Sequence, residues 1–437
     1  MSRRAVLGGL VLGAAGAGGL TACSSGQQAA STSGAVDIGF WTHDPSYVKT
    51  FQASAADADL MAGSAFQDTI NPVSANGSDL LSRTITQAVA GQSGPGMLGI
   101  IISEWPRVMK PQMAENLFVD LSDLTTDLGD DLLRTEPYSV DGRLYALESD
   151  SSISVFYYRQ DEFEAHGIDP QMQTWEDYLQ AGEQLAAATG KSLGMVANGD
   201  NTSIFNSFLQ FLLQRGGAPF DADGNLTIDT PEVLETLDVI QRGVQNGTFK
   251  VLGDPYGSAA AAALKQGELI AIVMPNWYNV YGLQANVPEQ AGLWRMRTLP
   301  RFTGGGHIAS NLGGTGFAVG LNNAARQASV DLLKRTYLTP EGQLLRYQIG
   351  GYLPTIKSLY SAPEFTDITD AYLGDQRVFD VYAQGAQDIP SFYQSATMQQ
   401  LSVAMGAALL GLYSGAYTPE RVVEATIKGY REQTRQA

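Results

Sequence analysis

VDIGFW, residues 36–41, is a short apolar run with the length and composition of a buried strand. A second such run, MLGIII, occupies residues 97–102. Between them, residues 79–90 repeat apolar side chains at helical spacing, with Ser78 as the expected N-cap. Alternation of buried strands with helices is typical of α/β proteins, so these residues predict a sheet flanked by helices.

The same alternation continues along the rest of the chain. Asp141-Gly142 separates two apolar segments and predicts a hairpin turn. Further strands are expected at 269–274, 293–299 and 316–319, and further helices after Thr174, after Thr230, after Thr339 and over most of 391–435. The chain has 437 residues, of which 44% are hydrophobic. This length exceeds what a single hydrophobic core normally stabilises, so it predicts two domains.

The first 34 residues have the composition of an export signal and a tether. Arg3 and Arg4 precede an uncharged apolar run, which ends at Leu20-Thr21-Ala22-Cys23. This order predicts a signal peptide at 1–22 and lipidation of Cys23, followed by a flexible linker over 23–34. A plain secretory signal is the alternative, and both the general and the twin-arginine export routes stay open.

Charge and histidine content exclude several classes of partner. Lys and Arg number 27 against 45 Asp and Glu, a net charge of −18, whereas a nucleic-acid partner requires a basic surface. The three histidines, His43, His166 and His307, have no metal-ligand spacing. We therefore expect no nucleic-acid partner, no metal and no cofactor.

Seven short motifs, in this order, resemble those of one known family. They are FWTH at 40–43, DGRLYAL at 141–147, YYRQD at 157–161, TWEDY at 174–178, FDADG at 220–224, KQGE at 265–268 and NLGGT at 311–315. Each motif alone is weak evidence for the family, but the seven in this order after a lipidation motif are specific for it. The chain resembles the extracellular solute-binding proteins that include maltose-binding protein and serve ATP-driven carbohydrate importers.

The resemblance implies a two-lobed, type II-like periplasmic-binding-protein fold. Each lobe is then a sheet flanked by helices, with the ligand cleft between the lobes. The expected lobes are residues 35–148 with 275–322, and residues 149–274 with 323–437. Chain crossings between lobes are expected at 149–153, 274–276 and 321–325.

The resemblance also implies a mechanism, a ligand and a partner for the protein. Hinge bending closes the lobes on a carbohydrate, and the permease subunits of an ABC importer recognise the closed state. The expected protein is a monomer, anchored by its lipid at the outer face of the membrane.

Candidate ligand-binding residues follow predicted strands, because open α/β sheets bind ligands at strand ends. His43 and Asp44 follow the first strand, and Glu104 and Trp105 follow the second. Asp44 as a helix cap is the alternative. Asp150 matches an acidic cleft position of the family, although the preceding Glu148 replaces its usual proline.

Later candidates come from three further segments. Trp277, just after a predicted strand, is the expected stacking platform for a sugar ring, with a core position as the alternative. Asn311, Gly313 and Gly314 form a loop whose glycines let backbone amides approach a ligand, although Leu312 stands where the family commonly has tryptophan. Phe392 and Tyr393 complete the set, with a core position equally open for them.

An enzyme is the rival class, and the sequence favours a binding protein instead. It has no Walker loop. A glycoside hydrolase needs only two carboxylates, however, and Glu104 with Asp150 is the pair that this alternative would use.

Overall fold

Fourteen helices and fifteen strands are present in residues 29–435, the part of the chain that the computed structural model describes. The helices are α1 (Pro45–Ala56), α2 (Gly77–Val89), α3 (Met113–Leu117), α4 (Gln160–His166), α5 (Trp175–Thr189), α6 (Asn201–Arg215), α7 (Pro231–Gln245), α8 (Ser258–Lys265), α9 (Arg326–Tyr337), α10 (Pro340–Gly350), α11 (Pro363–Thr366), α12 (Phe379–Ala386), α13 (Met398–Tyr413) and α14 (Pro419–Thr434). The strands are β1 (Gly34–Thr42), β2 (Phe66–Ser74), β3 (Met97–Ile101), β4 (Ser139–Val140), β5 (Arg143–Leu144), β6 (Leu147–Glu148), β7 (Ile153–Arg159), β8 (Gly194–Ala197), β9 (Phe249–Leu252), β10 (Ala271–Pro275), β11 (Trp294–Arg297), β12 (Ser310–Asn311), β13 (Thr315–Val319), β14 (Thr369–Asp370) and β15 (Gln376–Arg377).

The first sheet has five strands in the order β2-β1-β3-β13-β6. β1 pairs in parallel with β2 and β3, whereas β13 runs antiparallel to both β3 and β6. Helix α1 connects β1 to β2 and α2 connects β2 to β3, so the two crossovers run in opposite directions across the sheet. Because such crossovers are right-handed, α1 and α2 lie on opposite faces of this sheet.

The second sheet is built around β7, all seven residues of which are buried. β10 and β11 pair with β7 in antiparallel fashion on its two sides, and β12 pairs with its first residues. β8 and β9 form a separate parallel pair. The predicted α/β class, with sheets flanked by helices, is confirmed.

The chain crosses between the two sheets at short segments. Residues 149–152 lead from β6 to β7, and residues 312–314 lead back from β12 to β13. A third crossing, at 351–356, follows α10, which packs on α1, and precedes α12, which packs on β7. The first of the three lies at the segment that the sequence analysis expected.

The other two expected crossings lie elsewhere. Residues 274–276 connect β10 with elements of the second sheet, because β11 pairs with β7. Residues 321–325 lead into α9, which packs on the first sheet. Sheet pairing therefore separates β11 from β13, although the expected division placed 275–322 in one lobe. Such long-range pairing leaves no mark in the local sequence.

Two predictions from local sequence are confirmed, and one is wrong. Thr174 and Asp177 form the predicted capping box of α5, which Gly190 ends in a left-handed conformation. Asp141 and Gly142 both have positive φ angles, as a type I′ hairpin turn requires. The cap expected at Ser78 is wrong. Asn76 caps α2 instead, accepting a hydrogen bond from the Ser78 amide at 2.9 Å.

Membrane attachment involves a part of the chain that the structure leaves out. The predicted signal peptide, the lipidation of Cys23 and the linker as far as residue 28 lie outside the described residues. Within residues 29–435, every helix is too short or too polar to cross a bilayer.

Candidate ligand-binding cleft

A cleft of about 640 Å³ lies between the two sheets, within the range of about 300–1,000 Å³ that is typical of small-molecule sites. Six of the predicted site residues line it: His43, Asp44, Asp150, Trp277, Gly313 and Gly314. They come from the end of β1, from the crossings at 149–152 and 312–314, and from the segment after β10. The fold therefore brings distant parts of the sequence to one space.

Asp44 takes part in two interactions, which match both interpretations of the sequence. One carboxylate oxygen accepts a hydrogen bond from the Ser46 amide at 2.8 Å and so caps α1. The other lies 3.2 Å from the Tyr281 hydroxyl and 3.3 Å from the Tyr352 hydroxyl. Asp44 is thus both a helix cap and part of the cleft wall.

His43 presents an unpaired nitrogen in the same region. Its Nδ1 atom is buried and has no hydrogen-bond partner among residues 29–435. Burial lowers the pKa of the imidazole, and the neighbouring Asp44 carboxylate offsets this only in part. A neutral imidazole can donate through one ring nitrogen and accept through the other, which suits a ligand hydroxyl.

Asp150 is held by protein groups at the first crossing. It is 2% exposed, and its carboxylate accepts hydrogen bonds from Ser152 Oγ at 2.9 Å and Asn276 Nδ2 at 3.2 Å. Burial raises its pKa, while these hydrogen bonds act in the opposite direction. Most of its acceptor capacity is used within the protein, so Asp150 positions the crossing as well as lining the cleft.

Glu148, which stands in place of the family's proline, is the second buried carboxylate at this crossing. It forms an ion pair with Arg134, whose Nε lies 3.1 Å from Glu148 Oε2. Burial raises the pKa of Glu148 to about 7, and the Arg134 charge counteracts that rise. This ion pair stabilises the end of β6, immediately before the chain enters the second sheet.

Trp277 forms an aromatic wall on the side of the second sheet. Its ring centroid lies 5.6 Å from that of Tyr256, which is 47% exposed. The indole packs over Gly313, since a Cβ added there would lie 3.4 Å from Trp277 Cζ2. Gly313 also has a φ of 73°, which side chains rarely adopt. Trp277 is half-buried, so part of its ring remains free for a ligand.

A second chamber of about 350 Å³ adjoins the cleft. Both spaces are lined by Ile101, Asn206, Leu312 and Gly313. Three predicted residues that do not line the cleft, Glu104, Asn311 and Phe392, line the second chamber. Glu104 and Asp150, the pair that a glycoside hydrolase would use, line different chambers.

Two predicted residues lie outside both chambers. Trp105 is fully buried between Phe118, with ring centroids 6.5 Å apart, and Tyr138, at 5.2 Å. The tight turn at Trp105–Arg107 directs this indole into the core, although it follows a strand. Tyr393 is 37% exposed and lines neither space.

A polar stripe on α6 was not among the predicted site residues. Ser203, Asn206, Ser207 and Gln210 of α6 line the cleft. Their spacing of three, four and seven residues places them on one helical face. That spacing could have revealed the stripe, because polar side chains facing a buried direction indicate a site.

Comparisons with known proteins agree with this geometry. The family model described as "Bacterial extracellular solute-binding protein" matches residues 47–371. An arabinooligosaccharide-binding protein of Halalkalibacterium halodurans is 26% identical over 370 residues, covering 82% of this chain and 80% of that protein. A lactose-binding protein of Rhizobium radiobacter is 25% identical over 406 residues, covering 91% and 92%.

Solved structures show the same fold. The cyclic alpha-maltosyl-1,6-maltose binding protein of Arthrobacter globiformis has a TM-score of 0.74 at 20% identity, covering 92% of this chain and 100% of that one. The galacto-N-biose-/lacto-N-biose I-binding protein of Bifidobacterium longum, in complex with lacto-N-biose, has a TM-score of 0.71 at 16% identity, covering 93% and 98%. At these identities the likeness concerns the fold alone.

Proposed function

The chain belongs to the bacterial extracellular solute-binding proteins, and on that premise we propose that it binds a mono- or oligosaccharide and delivers it to an ABC-type importer. Support for a sugar comes from the relatives, which include arabinooligosaccharide- and lactose-binding proteins. The observation that best supports sugar binding is the cleft itself, because it offers an aromatic wall opposite hydrogen-bonding groups.

Sugars present a flat C–H face and a ring of hydroxyls, and each has a counterpart in the cleft. Trp277 supplies the stacking surface and is the main platform for the ring. His43 and Asp44 supply hydrogen bonds from the opposite lobe. Gly313 and Gly314 present backbone groups to the cleft without side chains of their own. Asn311, Glu104 and Phe392 extend the binding surface into the second chamber.

Ligand capture proceeds by closure of two lobes, each built around one of the sheets. The first holds β1, β2, β3, β6 and β13, and the second holds β7, β10, β11 and β12. Because the opposed walls belong to different lobes, a bound sugar stabilises the closed state through contacts from both. No bond needs to be made or broken.

The protein acts from the outer face of the membrane, to which a lipid on Cys23 attaches it. Leu20-Thr21-Ala22-Cys23 after an apolar run supports this assignment. Two or more acyl chains would give stable attachment, since one chain alone binds only marginally. The protein works there as a monomer beside the permease subunits.

A thermal-shift screen of the full chain tests the sugar assignment. Arabino-, galacto- and malto-oligosaccharides are compared with a panel of amino acids as the non-sugar control. A ligand at 100 times its Kd stabilises the folded protein by roughly 2.7 kcal/mol, so a true ligand raises Tm measurably. A shift with amino acids and none with any sugar would contradict the assignment.

Binding without turnover separates this function from the hydrolase alternative. The sugar that gives the largest shift is incubated with the protein and analysed by chromatography against a mock-purified control. We expect the sugar to be recovered unchanged. New products above the control would favour the hydrolase instead.

A further inference from the structure

The cleft and the second chamber lie toward opposite faces of the first sheet. Asp44 and Ser46 stand at the start of α1 and belong to the cleft end. Ser78, in the first turn of α2, lines the second chamber and contacts Arg107. Since α1 and α2 cover opposite faces, the combined space passes over Leu312 across the end of the sheet where β1 and β3 finish.

The end beside α1 is closed by side chains of both lobes. The Tyr281 hydroxyl lies 3.2 Å from Asp44 Oδ2 and 2.9 Å from Ser46 Oγ. Tyr281 follows β10 in the second lobe, so these contacts bridge the lobes. Tyr352 adds its hydroxyl 3.3 Å from Asp44 Oδ2 and stacks on Tyr47 with centroids 4.8 Å apart. Tyrosine rings therefore form an end wall.

The end beside α2 is roomy and polar. Glu104 and Arg107 form an ion pair of 2.8 Å whose side chains are 23% and 31% exposed. Arg107 also donates to the Ser78 carbonyl at 3.2 Å, which fixes its orientation. On the opposite side, α6 contributes Thr202 and α13 contributes Ser402. Charged and hydroxyl groups around an accessible space suit the hydroxyls of further sugar units.

We infer that the site binds the terminus of a linear oligosaccharide rather than an internal segment. The terminal ring lies in the cleft against the wall of Tyr281, Tyr352 and Asp44, and the next units pass over Leu312 into the second chamber. A chain carrying a bulky group on that terminus is excluded by the wall. The inference rests on the proposed sugar binding and defines which sugars fit.

Calorimetric titration of the full chain tests this with named probes. Arabino-, galacto- and malto-oligosaccharides of one to four units identify the best series, whose trisaccharide is then tested in two capped forms. One carries an aryl aglycone at the reducing end, and the other a benzyl ether on the non-reducing ring. We expect one capped form to bind at least tenfold more weakly than the parent, and Tyr281→Ala to restore its binding.

Tyr281→Phe is the companion variant, because it keeps the ring and should keep the exclusion. Tyr281 is 38% exposed, so both substitutions are expected to fold, which a thermal melt checks. The inference is overturned if both capped forms bind like the parent, if both are excluded, or if Tyr281→Ala restores nothing. Failure of every sugar to bind the unmodified protein would overturn the sugar assignment itself.

The second chamber is tested separately through Thr202, an exposed residue at the second position of α6. Thr202→Trp fills the chamber and should weaken trisaccharide binding at least tenfold while leaving monosaccharide binding unchanged. Glu341→Trp is the matched control, since Glu341 is the exposed second residue of α10 and lines neither space. Equal trisaccharide binding by both variants would refute extension into this chamber.

Discussion

Replacing Trp277 with alanine separates a ligand platform from a core side chain. Trp277 is half-buried beside Tyr256 and over Gly313, so its truncation leaves the surrounding core largely packed. Loss of the stacking surface should weaken sugar binding by on the order of 1–3 kcal/mol, judged from the burial of a large apolar side chain. That corresponds to roughly 5- to 150-fold in Kd.

Trp294 provides the matched control in the same lobe. It is fully buried on β11, and its indole nitrogen donates to Gln290 at 2.9 Å. Trp294→Ala should lower the free energy of unfolding by about 3–5 kcal/mol, as core tryptophan truncations do. Trp277→Ala should lower it much less, because its ring is only half-buried.

Calorimetry and thermal melts on the two variants give the decisive comparison. We expect Trp277→Ala to bind its sugar weakly and melt close to the unmodified protein, whereas Trp294→Ala melts early. If Trp277→Ala melts as early as Trp294→Ala yet binds normally when folded, the stacking assignment is refuted.

Two further predictions concern attachment and pH. Cys23→Ser should release the protein from washed membranes into the soluble fraction of cell extracts, since it removes the acylated sulfur; retention in the membranes would contradict lipidation. Burial and the nearby Asp331 raise the pKa of Asp68 to about 6, and both of its carboxylate oxygens are buried without a partner among residues 29–435. Because this folded-state pKa exceeds the unfolded value, the contribution of Asp68 to stability is present at low pH and is lost as pH rises through about 6. Asp68→Asn should therefore flatten the decline in unfolding free energy between about pH 4 and 7, and identical pH profiles for both proteins would count against it.

Local chemistry explains what the sequence predicted well. The Thr174 capping box and the Asp141-Gly142 turn need only neighbouring residues, so their signals lie within a few positions. His43 and Asp44 were found because the strand before them is short, apolar and followed directly by polar groups. The direction of β1 places them at the end of the sheet that borders the cleft.

Features that depend on contacts between distant segments could not be predicted from such local signals. Trp105 also follows a strand, but a tight turn sends its ring between Phe118 and Tyr138, a contact across distant segments. Assignment of β11 to the second sheet depends on its pairing with β7, more than a hundred residues earlier. Tyr281 follows β10 of the second sheet, so its contact with Asp44 depends on how the two sheets are placed relative to each other.

The position of β13 has a consequence for how the chain folds. This strand lies inside the first sheet, between β3 and β6, yet it follows them by more than 160 residues. The first lobe therefore lacks an interior strand until residue 319 is available, and closing so long a loop slows folding. Early fragments that end before β13 leave the edges of β3 and β6 unpaired, a state prone to association with other chains.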